Sequence, residues 1–269
     1  MKYSFMTFSC PELTCAQVIE AARRYGYDGV EPRAEAKHAH GIELSADKAA
    51  RTHARKAFES AGVAVACVAT SCCYSDPAEN AAQIDRTRQF IELAADVGSG
   101  HLRVFGGAIK GGLTRAQAIE QVAASLRSVA DLAARRKVRV CLETHDDWCD
   151  PTHIAEVMRR VNHEWIAVNW DIMHPVRTKL STMEQAFETL KPWIQHAHIH
   201  DCERYDDMVF VSIGKGIIDH KLALGRLMGL KRDLFISFEW FNMGSHERHL
   251  PAELATMKAY ESSMRQGGT

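Results

Sequence analysis

The 269-residue chain lacks the features that would direct it to a membrane, a nucleic acid or the secretory route. No apolar run approaches the roughly 20 residues that span a bilayer, and residues 1–15 lack the basic start and long apolar stretch of a signal peptide. Its 33 Lys and Arg residues are balanced by 34 Asp and Glu residues, so no excess charge attracts nucleic acid or an anionic membrane. We therefore expect a cytoplasmic protein whose partner is a small molecule.

The eight cysteines lack the paired spacing of a zinc site, and no segment has the composition of a linker. Cys10 and Cys15 are five residues apart, Cys72 and Cys73 are adjacent, and the others occur singly. In a cytoplasmic chain we expect reduced cysteines that pack in the core. Because no low-complexity stretch or run rich in Pro, Gly and Ser interrupts the sequence, we predict a single domain over residues 1–269.

Short apolar runs rich in Val, Ile and Phe alternate with longer segments of helical periodicity from end to end. The predicted strands are residues 3–8, 28–32, 63–69, 101–105, 138–143, 165–171, 194–200 and 234–239. Eight strand–helix units of about 33 residues favour a closed (β/α)8 TIM barrel over a doubly wound open sheet. The predicted fold class is therefore α/β, with one barrel.

The predicted helices begin and end at residues with capping chemistry. Capping boxes are predicted from the pairs Thr14 with Gln17, Thr114 with Gln117, and Ser181 with Glu184. Helix ends are predicted at Gly26, Gly62 and Gly98.

Four polar side chains stand at the ends of successive predicted strands. They are Glu143, Asp171, His200 and Glu239. Strand alternation gives them the inner side, while the aliphatic residues of the same strands face the helices. In a parallel barrel these strand ends meet at the rim that carries active sites.

Three carboxylates at one rim would repel one another, and a divalent cation offsets that repulsion. Carboxylates with one imidazole favour Mn²⁺, Mg²⁺ or Co²⁺, and Zn²⁺ stays open. His198 competes with His200 for the metal, because both face inward on the same strand.

Seven motifs carry a family resemblance. They are DGVEPR, LRVFGG, ETHDDW, DIMHP, HIHD, GKGIID and FEW, in that order along the chain. The sequence resembles the sugar phosphate isomerase/epimerase group of the xylose isomerase-like TIM barrels over essentially its whole length. The order D-x-x-H, H-x-H, G-x-G indicates the superfamily and leaves the substrate open.

The resemblance implies that Glu143, Asp171, His200 and Glu239 bind one divalent metal ion. Related sequences with H-x-Q on this strand place the ligand at the second position, so His200 is preferred to His198. Glu143 and Glu239 would also transfer the proton. Epimerase-type members have an arginine six residues after the metal histidine, and counted from His200 that position is Asp206.

The resemblance and the strand pattern also assign residues around the metal. His174 of D-x-x-H is implied to contact substrate. Arg204 is the nearest substitute for the epimerase arginine, and His145 and Trp148 are expected to line the site. Arg103 is expected to point into the barrel and to anchor Glu31 as a structural pair.

Several functions share this metal site. The preferred hypothesis is an isomerase or epimerase of a sugar-like polyol or keto substrate, and a dehydratase of the inosose or 3-dehydroshikimate type is the alternative. An endonuclease IV-like nuclease is disfavoured, since VACVATSCC offers no histidine on strand 3. A non-catalytic sugar-binding barrel also stays open. The oligomeric state is open too, and homodimers are common among similar proteins.

Overall fold

Parallel strands alternate with helices and close into a TIM barrel, as the alternation predicts. The computed structural model describes residues 1–206 and 208–267. Its strands are β1 Lys2–Met6, β2 Gly29–Glu31, β3 Ala64–Val65, β4 Val68–Cys73, β5 His101–Phe105, β6 Arg139–Glu143, β7 Ile166–Asp171, β8 Ile194–Ile199, β9 Asp201–Cys202, β10 Phe210–Val211 and β11 Phe235–Phe238. All of them except β9 and β10, which form a separate antiparallel pair, belong to one parallel sheet.

The barrel closes through one interrupted strand. The sheet order is β3-β2-β1-β11-β8-β7-β6-β5-β4, so β3 pairs with β2 at one end and β4 pairs with β5 at the other. Only residues 66–67 separate β3 from β4, and a parallel bridge joins Arg33 to Ala69 across the seam. The predicted strand 63–69 therefore corresponds to two short strands, β3 and β4, which together form one of the eight strands of the barrel.

Helices cover the outside of the barrel. They are α1 Cys15–Tyr25, α2 Lys48–Ala61, α3 Asn80–Asp96, α4 Arg115–Arg136, α5 Pro151–Val161, α6 Met173–Arg177, α7 Met183–Leu190, α8 His220–Gly229 and α9 His246–Gly267. Within the described ranges, none of these helices has the length and apolar composition to cross a membrane. The apolar side of the strands packs against them: Trp170 of β7, for example, lies 5.7 Å from Phe187 of α7 between ring centroids.

Two of the three predicted capping boxes are confirmed, and the third is wrong by one residue. Thr14 and Thr114 cap α1 and α4 with reciprocal glutamine bonds. Helix α7 is capped by Thr182 with Gln185 rather than by Ser181 with Glu184. Both pairs have the same spacing. The observed start of α7 is the one that buries the apolar face of the helix.

The GKGIID motif forms a loop that is hydrogen-bonded to Asp201 at the start of β9, two residues beyond the end of β8. Asp201 accepts hydrogen bonds from the backbone N–H groups of Gly214 and Gly216 at Oδ2, both at 3.0 Å. Its Oδ1 accepts from Ile218 at 3.1 Å and from Cys202 at 3.0 Å. One buried carboxylate thus holds the loop beside the rim.

We expect Gly216→Ala to lower the free energy of unfolding by about 3 kcal/mol or more. A Cβ at Gly216 would lie 2.1 Å from the carbonyl oxygen of Cys202 and 2.3 Å from Asp201 Oδ1. Urea unfolding measures the loss. Gly229→Ala is the control, because a Cβ at Gly229 meets nothing within 4 Å. Equal stability of both variants would contradict this role of the loop.

Candidate active site

Acidic and imidazole side chains converge at the carboxyl ends of the barrel strands. Glu143 and Asp171 end β6 and β7, His198 lies in β8, and Glu239 follows β11. These four residues each offer one ligand atom, and the four atoms all lie within 4.8 Å of one another. All four side chains are buried.

His198 lies at the centre of this group. Its Nδ1 is 2.9 Å from Glu143 Oε1 and 3.0 Å from Glu239 Oε2. Its Nε2 is 3.0 Å from Glu31 Oε1 on the opposite side of the ring. Burial opposes the charged imidazole, but the charges of Glu31 and Glu143 outweigh burial and raise the pKa of His198 well above its ordinary value.

His200 belongs to a neighbouring group that shares Asp171. Its Nε2 lies 2.8 Å from Asp171 Oδ2, and Asp171, His174 and His200 form a second set of donors within 4.8 Å of one another. The structure therefore brings His198, rather than the preferred His200, together with all three carboxylates. The choice of ligand stays a prediction, and this geometry favours His198.

The donor atoms fit a divalent cation. Glu143 Oε2, Asp171 Oδ2 and Glu239 Oε2 are buried oxygens without a well-aligned hydrogen bond from the described residues. Three buried carboxylates this close together repel one another, and a shared cation would offset the free energy that this repulsion costs. Three carboxylates and one imidazole suit Mn²⁺, Mg²⁺, Co²⁺ or Zn²⁺.

Backbone contacts orient Asp171. Its Oδ1 accepts hydrogen bonds from the N–H groups of Met173 at 2.8 Å and His174 at 3.2 Å, where α6 begins. Burial favours the neutral acid, but the charge of His200 and its hydrogen bond outweigh burial and lower the pKa of Asp171. These N–H groups occupy Oδ1, whereas Oδ2 lies 2.8 Å from His200 Nε2 and is the oxygen that a cation would bind.

The predicted pair of Arg103 with Glu31 is wrong. Arg103 Nε lies 3.1 Å from Glu143 Oε2, and its guanidinium also donates to the carbonyl of Thr70 at 2.9 Å. Arg103 is in β5, which pairs directly with β6, so Glu143 is within its reach. The oxygens of Glu31 are bound instead by His196 and His198, at 2.7 and 3.0 Å.

Glu31 orients His198 by binding its Nε2, the ring nitrogen that faces away from Glu143 and Glu239. A carboxylate that binds the far nitrogen of a metal-binding histidine fixes the ring and raises its basicity. Burial opposes ionisation, but His198 and His196 outweigh it and lower the pKa of Glu31 well below its ordinary value. The sequence signal for this contact is the inward position of Glu31 on strand 2.

We expect Glu31→Gln to weaken Mn²⁺ binding by about tenfold to a hundredfold, because the amide cannot accept from both imidazoles. Calorimetric titration with Mn²⁺ measures the change. Glu35→Gln is the control, since Glu35 pairs with Arg86 away from the imidazoles. An unchanged affinity in Glu31→Gln would remove Glu31 from the support of the metal site.

His174 and His145 lie beside the four candidate metal ligands, and their contact with substrate stays a prediction. Their rings are 4.4 Å apart between centroids. Burial lowers the pKa of His174 to about 3, so the ring is neutral. His145 Nδ1 lies 2.8 Å from Asp146 Oδ1; burial opposes its charge, but this contact outweighs burial and raises the pKa of His145.

Arg204 and Trp148 lie in different surroundings from each other. Arg204 is exposed in the segment between β9 and β10. Trp148 is fully buried, and its Nε1 donates to the carbonyl of Gly107 at 2.9 Å and lies 3.1 Å from Ser75 Oγ. A substrate would reach its ring only after a rearrangement, and both assignments stay predictions.

Aromatic rings beside the rim were not predicted from the sequence. Phe8 lies 4.1 Å from Phe241 between ring centroids, and Phe210 lies 5.8 Å from Phe241. Phe210 also lies 5.1 Å from the ring of His200. Phe8 follows β1, Phe210 begins β10 and Phe241 follows β11, so no single motif in the sequence joins them.

Comparisons with known proteins agree with this architecture. The family model described as xylose isomerase-like TIM barrel matches residues 19–261. The 3-dehydroshikimate dehydratase of Bacillus anthracis is 22% identical over 261 residues, which covers 90% of this chain and 91% of the relative.

Solved structures with the same fold include that of a protein described as a probable dehydratase and that of an epimerase. The crystal structure of the probable 3-DHS dehydratase AsbF of Bacillus anthracis has a TM-score of 0.81 at 21% identity, covering 96% of this chain and 99% of that chain. A D-psicose 3-epimerase, crystallised in the presence of D-fructose, has a TM-score of 0.80 at 15% identity, covering 97% and 99%. At these identities the structures support the shared fold alone.

Proposed function

The chain belongs to the xylose isomerase-like TIM barrel family, and we propose that it is a divalent-metal-dependent isomerase or epimerase of a sugar-like keto substrate. One observation carries the proposal. The ligand atoms of Glu143, Asp171, His198 and Glu239 lie within 4.8 Å of one another at the rim where barrel enzymes act.

These four residues would hold the metal ion. When bound, a divalent cation supplies positive charge beside the oxygens of the substrate, which makes the carbon next to a carbonyl more acidic. His198 is proposed as the imidazole ligand, because Glu31 binds its Nε2 and Nδ1 faces the carboxylates.

Glu143 and Glu239 are proposed as the two groups that move the proton. They come from β6 and from the end of β11, which β7 and β8 separate in the sheet. One carboxylate would take a proton from the carbon next to the carbonyl, and the other would return a proton. Return to a neighbouring carbon gives an isomer, and return to the opposite face gives an epimer.

The choice of His198 also supports the proposed substrate residues. The epimerases that the sequence resembles have an arginine six residues after the metal histidine. Counted from His198, that position is Arg204 rather than Asp206. We propose that Arg204 and His174 contact the substrate and that His145 lines the site beside them.

A dehydratase is the second candidate, because a relative with this activity matches 90% of the chain. The same proton abstraction leads to loss of water when a hydroxyl group leaves from the next carbon. In that reaction the second acid protonates the departing hydroxyl instead of a carbon.

Solvent exchange tests the proposed reaction. Incubation of the metal-loaded protein with ketoses in D₂O is expected to place deuterium on the carbon next to the carbonyl, and demetallation is expected to stop it. Nuclear magnetic resonance follows the label. A second incubation uses 3-dehydroshikimate as the substrate, and ultraviolet absorption follows any product that forms by loss of water. Exchange that survived full demetallation would contradict the proposal, and water loss without an isomerised product would favour the dehydratase.

A further inference from the structure

Arg33 is a buried arginine that faces the rim without an acidic partner. It lies two residues beyond Glu31, and its parallel bridge to Ala69 continues the pairing of β2, so alternation gives it the same inner side. Its guanidinium donates to Ser71 Oγ, to the carbonyl of Ala34 and, at 3.4 Å, to the carbonyl of Ala69. It lies 5.8 Å from the ring of Phe8. The residue is 9% exposed, whereas Ser71 is exposed.

No carboxylate among the described residues forms an ion pair with Arg33, and its buried Nε has no hydrogen-bond partner there. Two of the nearby acids are engaged elsewhere. Glu143 pairs with Arg103, and both oxygens of Glu31 bind imidazole nitrogens. Glu43, on the loop after β2, accepts the N–H of Glu35 at Oε2; its buried Oε1 has no hydrogen-bond partner among the described residues, and its charge acts on Arg33 without an ion pair.

Burial makes this uncompensated charge costly. Burial first, and then repulsion from Arg103, lowers the pKa of Arg33 to about 10, against the opposing influence of Glu239 and Glu143. Arg33 therefore stays charged at neutral pH. A divalent cation bound by the carboxylates would reduce the attraction of Glu143 and Glu239 for Arg33 further.

We propose that Arg33 and Ser71 bind an anionic group of the substrate, a carboxylate or a phosphate. The guanidinium fork and the hydroxyl group are donors that match the oxygens of either anion. The substrate would then be an acidic sugar or a polyhydroxy keto acid rather than a neutral ketose. This inference rests on the proposed function for the reacting carbon, but the anion site itself is measured by binding.

Pairs of ligands that differ by one anionic group test the proposal. Shikimate is compared with methyl shikimate, and sorbitol 6-phosphate with sorbitol, by ligand-observed nuclear magnetic resonance on the magnesium-loaded protein. The wild-type protein is expected to bind the anionic member of at least one pair about tenfold to a hundredfold more tightly. The pair that shows the larger preference distinguishes carboxylate from phosphate.

Arg33→Gln is expected to reduce this preference to about twofold or less while the affinity for the neutral member stays the same. Arg33→Lys keeps the charge and is expected to retain part of the preference. This variant tests the proposal if Arg33→Gln does not fold. Arg86→Gln removes a charge that pairs with Glu35 and is expected to behave as wild type.

Two outcomes would overturn the proposal. One is an undiminished preference in folded Arg33→Gln, and the other is an equal response of the wild-type protein to both members of each pair, including no response. Because affinity is measured without turnover, an anion preference without solvent exchange on any substrate would reject the isomerase and keep the anion site. Exchange without an anion preference would reject the anion site alone.

Discussion

Glu239→Gln is expected to lower the rate of proton exchange by about 10² to 10⁴-fold, the range that a positioned general base or acid contributes. Burial disfavours the charge of Glu239, but His198, followed by His200 and Arg103, outweighs burial and lowers the pKa of Glu239 to about 2. The carboxylate is therefore ionised at neutral pH and able to accept a proton. Glutamine has nearly the same shape and cannot accept one.

Deuterium incorporation in D₂O measures the effect, and metal content is measured on the same samples. The amide oxygen of glutamine still offers one metal ligand, so a variant that retains metal separates the loss of proton transfer from the loss of the ion. Glu247→Gln is the control, because Glu247 is exposed at the start of α9. Unchanged exchange in Glu239→Gln would remove Glu239 from catalysis.

His198→Gln is expected to weaken Mn²⁺ binding by more than about a hundredfold, beyond the loss that follows when only a supporting contact of a ligand is removed. His198 is the imidazole whose Nδ1 lies within 3.0 Å of Glu143 and Glu239 oxygens. Removing it takes a donor from the centre of the group. Calorimetric titration measures the affinity.

His200→Gln is the matched control for His198→Gln, since both histidines lie at the same end of one strand. His200 contacts Asp171 and the ring of Phe210, so its loss is expected to change Mn²⁺ affinity by about tenfold or less. The opposite order, with the larger loss in His200→Gln, would restore the preference that the family resemblance gave to His200.

The barrel was predictable because each of its strands repeats the same local pattern. Alternating apolar runs, helical segments and capping pairs such as Thr14 with Gln17 act locally, and they identified seven of the eight predicted strands within two residues. The strand predicted over 63–69 ends four residues before β4 does. The break at residues 66–67 was not predictable, since it arises where the sheet closes on itself. The residue at which α7 begins also depended on packing, because two possible capping pairs lie one residue apart there.

The candidate site was predictable to the level of its strand ends and no further. Alternation places His198 and His200 on the same side of one strand, so the sequence cannot separate them, whereas the position of Glu31 across the barrel favours His198. Arg103 was assigned to the wrong acid because its partner follows from strand order and not from spacing. The unpaired charge of Arg33 is visible only when the partners of all nearby acids are known.

Diffraction from crystals soaked in Mn²⁺ tests the central claim most directly, because the anomalous scattering of manganese locates the bound ion. We predict a single peak within about 2.5 Å of carboxylate oxygens of Glu143, Asp171 and Glu239 and of His198 Nδ1. A peak held by Asp171, His174 and His200 without Glu143 and Glu239, or no peak at this rim, would contradict the account.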